Sequence, residues 1–311
     1  GTFELRSPLI VDAELTIKGA GADRTIIDFG AGSQGFDVRR AGLSLVDVTV
    51  RGGTTEGDGG AIAVDRSPLV LRNVVVSGAS AGGDGGAIAA VGSIVSITSS
   101  TFEDNTASRG GAVLALESEV EIVDSTFAGN GARDGGGAIL LSFPVMASIT
   151  GSQLIENIAT VGPGGAVFVQ GSGSTGDAVV VTKSVFETNS ASNEGGALFA
   201  EGAPLELRET TFRANDASAG GAVAIDGAAV DVLSGSVFEE NRAALGLGGG
   251  LYASDAAVVD HARFDGNTAV GDGGAIAAFG DTTITDTAFV GNATNGSGGA
   301  LAAFGSVTQG E

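Results

Sequence analysis

Cysteine and tryptophan are absent from this chain of 311 residues, and histidine, methionine and tyrosine occur once each. Without cysteine there is no disulfide framework, although that absence assigns no compartment. Proline is limited to five residues, and no Gly-X-Y period accompanies the 54 glycines, so collagen is excluded. No uninterrupted apolar run approaches twenty residues, and no transmembrane helix is expected. Basic residues are scarce: fifteen Lys and Arg stand against 37 Asp and Glu, for a net charge of −22. Nucleic acid is therefore excluded as a partner, because a phosphate backbone demands the opposite sign. The charge favours solubility and also fits a salt-rich or calcium-rich exterior. No signal peptide is visible, and the chain begins at Gly1 rather than Met, as expected if a leader has been removed.

What is present is a repeat. A large apolar residue is followed three positions later by Asn, as Phe102 and Asn105, Phe127 and Asn130, Leu154 and Asn157, Phe186 and Asn189, Phe212 and Asn215, Phe238 and Asn241, Phe264 and Asn267, and Phe289 and Asn292. A small residue follows two further on, then a Gly-Gly pair, and the cycle restarts about every 25 residues. The second glycines are expected at Gly60, Gly86, Gly111, Gly137, Gly165, Gly196, Gly221, Gly250, Gly274 and Gly299. Two residues later comes a row of Ile62, Ile88, Val113, Ile139, Val167, Leu198, Val223, Tyr252, Ile276 and Leu301. Five residues before each large apolar residue lies a branched aliphatic: Ile97, Ile122, Ile149, Val181, Leu207, Leu233, Val259 and Ile284.

A period between 20 and 50 residues signals a solenoid or a propeller. The segments are too short for helices and rich in β-branched residues, which favours strands. No hairpin signal recurs inside the repeats, so a propeller is disfavoured. Stacked in parallel, each row becomes a ladder of like residues with strands about 4.8 Å apart, and the rest of the coil supplies the crossover that parallel pairing needs. The fold class expected is all-β: a single-stranded, right-handed parallel β-helix of about twelve coils, near 58 Å long. One domain spans residues 1–311. Residues 1–50 lack the phrase and form divergent N-terminal coils; residues 51–311 hold the regular repeats, with an uncapped C-terminal edge at Glu311 that is expected to continue or to dock. The Phe row should stack inside the rod, the Asn row should serve backbone groups at a bend, and the glycines should let the chain reverse at positive φ.

The pair of motifs, Gly-Gly-Ala-aliphatic (Gly59–Ile62, Gly85–Ile88, Gly110–Val113 and six later copies) and Phe-x-x-Asn, resembles the repeats of the chlamydial polymorphic outer-membrane proteins and of other bacterial surface or secreted β-helix proteins. The resemblance covers about residues 50–305 and departs from the pattern where Leu154 replaces Phe. It implies a pectin-lyase-like β-helix, an extracellular or cell-surface location in a bacterium, and an adhesive or structural role. Neither leader nor anchor is visible in the chain, and the family supplies no shared catalytic residue to carry over.

Chemistry is sparse. Hydrolases of this fold resemble one another in an adjacent Asp pair, a Gly-His-Gly and an Arg-Ile-Lys run, and none of these occurs here. The single histidine, His261, falls in a variable polar row with Ser99, Asp124, Gly151, Lys183, Glu209, Gly235 and Asp286, which places it in solvent. Asp58, Asp84 and Asp272 precede the glycine pair and Asp134 lies one place further out. In register, Asp58 and Asp84 would repel by roughly 0.8 kcal/mol at about 5 Å, which a bound Ca²⁺ or simple solvation would relieve. No calcium-loop signature is met, and no other cofactor is expected. Three residues after the glycines, on the parity opposite to the aliphatic row, the sequence places Ala63, Ala89, Leu114, Leu140, Phe168, Phe199, Ala224, Ala253, Ala277 and Ala302. If the aliphatic row faces inward, Leu114, Leu140, Phe168 and Phe199 form an outward apolar patch of the kind that marks contact sites, unless the chain's own loops cover it. Insertions at Gly171 to Gly176 and at Ala243 to Gly248 flank this region. The expected function is a non-enzymatic extracellular or cell-surface β-helix that binds another protein chain, or copies of itself, through this face. The alternative is a lyase-like enzyme or carbohydrate-binding protein acting on acidic polysaccharide, readable from new double bonds formed on uronate polymers.

Overall fold

The computed structural model describes residues 1–171, 178–233 and 235–310. Most of the insertion expected at Gly171 to Gly176 lies outside the described residues, as does Glu311. Among the described residues every named strand pairing is parallel, and the strands assemble into four ladders of twelve, twelve, twelve and ten. The coil that starts at the Gly85–Gly86 pair shows the plan. Ile88–Val91 belongs to the first sheet, Ile94–Thr98 to the second, Thr101–Glu103 to the third and Thr106–Ala107 to the fourth. Each strand lies in register on its equivalent one coil later, as in Ile88 on Val113, Ile97 on Ile122 and Phe102 on Phe127. The result is a parallel β-solenoid of about twelve turns.

A regular coil turns at four bends, and in the middle of the solenoid a residue in left-handed conformation marks each of them. Gly92, Ser99, Asp104 and Gly110 do so in this region, with φ of 55°, 49°, 55° and 59°. The variable polar row that contains His261 is the second of these bends, which explains both its polarity and its variability: the side chain points to water while the backbone makes the corner. The two glycines of a pair have different tasks. Gly85 adopts φ 66°, whereas a Cβ on Gly86 would meet the carbonyl oxygen of Gly111 at 2.2 Å and that of Thr106 at 2.5 Å. The first glycine is required by conformation and the second by contact between coil backbones.

Polar ladders line the third bend, much of the second, and the first where Ser67, Ser93 and Ser118 stack. At the third, Asn130 accepts from the backbone N–H and the amide of Asn105 through Oδ1, and its own amide donates to the Phe102 carbonyl and to Asn157 Oδ1, all within 3.0–3.1 Å. The pattern continues to Asn292. At the second bend the Ser125 hydroxyl accepts the Ser100 N–H and donates to the Val123 carbonyl. Ser93 and Ser118 repeat this at the first bend. These groups are buried, and among the described residues no buried side-chain nitrogen or oxygen lacks a partner. An unmet group there would cost about 1–3 kcal/mol, which is why the third bend keeps Asn from Asn105 to Asn292.

The interior is one apolar column. Phe212 stacks on Phe238 at 4.9 Å and Phe238 on Phe264 at 4.5 Å between ring centroids. Each buried ring contributes about 1.5–3 kcal/mol through the area it removes from water. Two positions differ from the sequence reading. Val232, not Leu233, lies in register between Leu207 and Val259, because the stretch before Phe238 is one residue longer than its neighbours. In the run Gly248–Gly249–Gly250 the pair is the first two glycines. Leu251 therefore takes the inward place between Val223 and Ile276, Tyr252 faces outward, and Ala253 faces inward.

Candidate functional site: the outer face of the first sheet

The outward row of the first sheet stacks Ala63, Ala89, Leu114, Leu140, Phe168, Phe199, Ala224 and Tyr252 coil upon coil. Ala89 through Ala224, with Tyr252 packed against them, form a hydrophobic cluster separate from the core column. Leu114, Leu140, Phe168 and Phe199 are thus brought together as one group on the outside of the coil. They are nevertheless buried, between 0 and 9% exposed. Cover comes from the loops that lead into the glycine pairs. A Cβ on Gly135 would lie 3.0 Å from the Phe168 ring, and one on Gly220 would lie 2.7 Å from the Ala224 side chain. Loop backbone, made slim by glycine, lies directly on the row.

The face opens at both ends of this block. Toward the N-terminus, Ala63 and Ala89 border a depression of about 360 Å³ edged by Asp37, Arg39, Asp58 and Asp65. Toward the C-terminus, Phe199 and Tyr252 border one of about 380 Å³ edged by Glu194, Ala219, Asp226 and Leu247. Beyond it the aromatic contact continues outward, Tyr252 against Phe279 at 5.9 Å and Phe279 stacked on Phe304 at 4.4 Å, both phenylalanines being exposed.

The acidic residues singled out for a metal lie on the loops beside this face. Asp58 Oδ1 accepts the backbone N–H of Asp84 at 2.7 Å, and the Asp84 carboxylate grips the Arg109 guanidinium at 2.6 and 3.2 Å. Arg109 is held above its ordinary pKa chiefly by the hydrogen bond to Asp84, opposed by burial and helped by the charges of Asp84, Asp134 and Asp58. The positive group among Asp58, Asp84 and Asp134 is therefore the chain's own arginine. Asp272 sits apart, several coils on, and its carboxylate caps the Ser297 N–H at 2.6 Å.

A different group was missed. Asp260, His261 and Asp286 bring one ligand atom each within 4.8 Å of the others at the second bend. His261 Nδ1 lies 2.8 Å from Asp260 and Nε2 lies 3.4 Å from Asp286. The signal was available: an Asp beside His261 in sequence, and Asp286 one coil later in the same bend row. The Asp260 hydrogen bond, with the charges of Asp260 and Asp286, raises the His261 pKa above 6.5. A raised folded pKa means that this contribution is full below the unfolded pKa and is lost as pH rises through the folded value. Because the chain has one histidine, its proton resonance can be followed alone. Its midpoint is expected above 6.5, and it should fall in Asp260→Asn; a midpoint unchanged by that substitution would contradict the pairing.

Comparison with curated proteins and with solved structures returns no match. Three segments, residues 124–142, 183–201 and 262–278, match the Chlamydia polymorphic membrane protein (Chlamydia_PMP) repeat. Each runs from the second bend, or one residue past it, through the third and fourth sheets and the glycine pair to a strand of the first sheet. The matched stretch takes in three of a coil's four strands and includes the Asn ladder and the loops over the apolar row. Three segments of this chain thus match the chlamydial polymorphic membrane protein repeat, and they lie within a parallel β-solenoid.

Proposed function

We propose that the chain is a surface-associated bacterial β-solenoid that acts by binding rather than by catalysis, and that its partner, a protein or a second copy, docks along the outer face of the first sheet. The matched repeat supports the surface association. The observation that carries the binding face is the apolar row from Ala89 to Ala224, with Tyr252 packed at its end and touching the exposed Phe279 and Phe304 pair of the neighbouring row. Leu114, Leu140, Phe168 and Phe199 form its floor beneath thin glycine loops, so a partner would meet them by contact with the loops they support. Charge substitution at Leu140 would bury a carboxylate and confuse folding with binding. Phe168→Ala with Phe199→Ala is the cleaner test. The β spectrum should persist while association, read by sedimentation velocity across concentration and by binding to intact cells, is lost. Association that survives this pair and Phe279→Ser together would remove the face from consideration. Protease treatment of intact source cells should release the chain if it lies on the surface.

A further inference from the structure

The loop position before the glycine pair carries an acid that meets the next coil. At Asp84 the facing residue is Arg109, and the two strand segments pair as an isolated parallel bridge. Glu194 occupies the equivalent place later in the solenoid, paired in the same way, but the residue facing it is Ala219. The acid is kept and its internal cation is missing. Among the described residues neither Glu194 nor Asp226 has a basic partner within ion-pair distance, in a chain of net charge −22.

The space beside Glu194 is the depression of about 380 Å³ bordered by Phe199, Ala219, Asp226, Leu247 and Tyr252. Phe199 and Tyr252 stand two coils apart, about 9.6 Å by strand spacing. A cation held in the depression that both residues line is brought beside two aromatic side chains, which attract it. Burial first, and then the charges of Asp226 and Glu194, raise the Tyr252 hydroxyl above its ordinary pKa, so both carboxylates act on the ring that borders the space. Two carboxylates with two aromatic sides form a receptor for an organic cation. The guanidinium matches best: it is planar, it stacks on rings, and its fork fits a carboxylate, as Arg109 does at Asp84.

We infer that this cleft, formed by Glu194, Asp226, Phe199 and Tyr252, binds an arginine side chain presented by a partner polypeptide. The inference rests on the binding reading above and names the chemistry that the partner must carry at the C-terminal end of the face. Its test is separate from the association test, because it uses a small ligand. Tyr252 is the chain's single tyrosine and tryptophan is absent, so intrinsic tyrosine emission reports this site alone. Titration with Nα-acetyl-arginine amide should change that emission saturably, and the uncharged near-isostere Nα-acetyl-citrulline amide should leave it unchanged. Glu194→Gln with Asp226→Asn should weaken binding at least tenfold. Ala219→Arg should abolish it, by restoring the internal pair seen at Asp84 and Arg109. The inference is overturned if capped arginine gives no saturable change, if citrulline matches it, or if the Glu194→Gln, Asp226→Asn protein, shown to be folded by its β spectrum, binds arginine as tightly as the parent. Failure here with association intact would reject the cleft and keep the face; the reverse would reject the face alone.

Discussion

Replacing Asn215 with Leu, which has nearly the same shape, should destabilise the solenoid by about 4 kcal/mol. Asn215 Oδ1 accepts from the Asn189 N–H at 2.9 Å and from the Asn189 amide at 3.0 Å; its own amide donates to the Phe186 carbonyl and to Asn241 Oδ1. Leucine removes all four bonds and strands the Asn189 N–H in a wall where Asn189 is 1% exposed. That orphan costs about 1–3 kcal/mol, and each further bond lost adds about 0.5–1.5. Because each coil touches only its neighbours, the damage should be local. Hydrogen exchange should accelerate at Asn189 and across the coils that follow, while amides near Asn105 keep their protection. A denaturation shift below about 1 kcal/mol would show that the ladder is ornamental.

Phe238→Ala should be comparably costly, about 3–5 kcal/mol with the cavity included. Phe238 is fully buried between Phe212 and Phe264, its ring nearly parallel to the latter at 8°. Strand spacing is set by backbone hydrogen bonds, so neighbouring rings cannot close over the gap. The solenoid also contains its own control. Leu154 occupies the same row between Phe127 and Phe186 and is fully buried. Phe238→Leu should therefore cost less than about 1.5 kcal/mol. Urea unfolding of the two variants against the parent measures both; equal losses from Ala and Leu would mean that ring stacking, not volume, holds the column.

The fold was legible because a solenoid writes its architecture once per coil. Phe102 predicts Phe127, and Asn105 predicts Asn130, without knowledge of any distant contact. Legibility failed where the count of residues between rows changed. Gly248–Gly249–Gly250 offers two possible pairs, and only the contacts with the coils on either side choose the first, which turns Tyr252 outward. The extra residue before Phe238 shifts Val232 into register by the same logic. The serine hydrogen bonds at the first two bends were not legible, since a Ser that faces a bend and one that faces water look alike in sequence.

The candidate site was half legible. Alternation placed Leu114, Leu140, Phe168 and Phe199 on the outside, and the structure gathers them there. Their burial was not readable, because it depends on how far each loop folds back before its glycine pair. The pairing of Asp84 with Arg109, the absence of such a partner at Glu194, and the meeting of His261 with Asp286 likewise arise between coils. Sequence by itself determined the repeat, the Asn and glycine-pair bends and the stacking of like on like, since these follow from local spacing repeated many times. Tertiary structure alone decided which row is covered and which acid lacks a cation, because those depend on the distance between side chains a full turn apart.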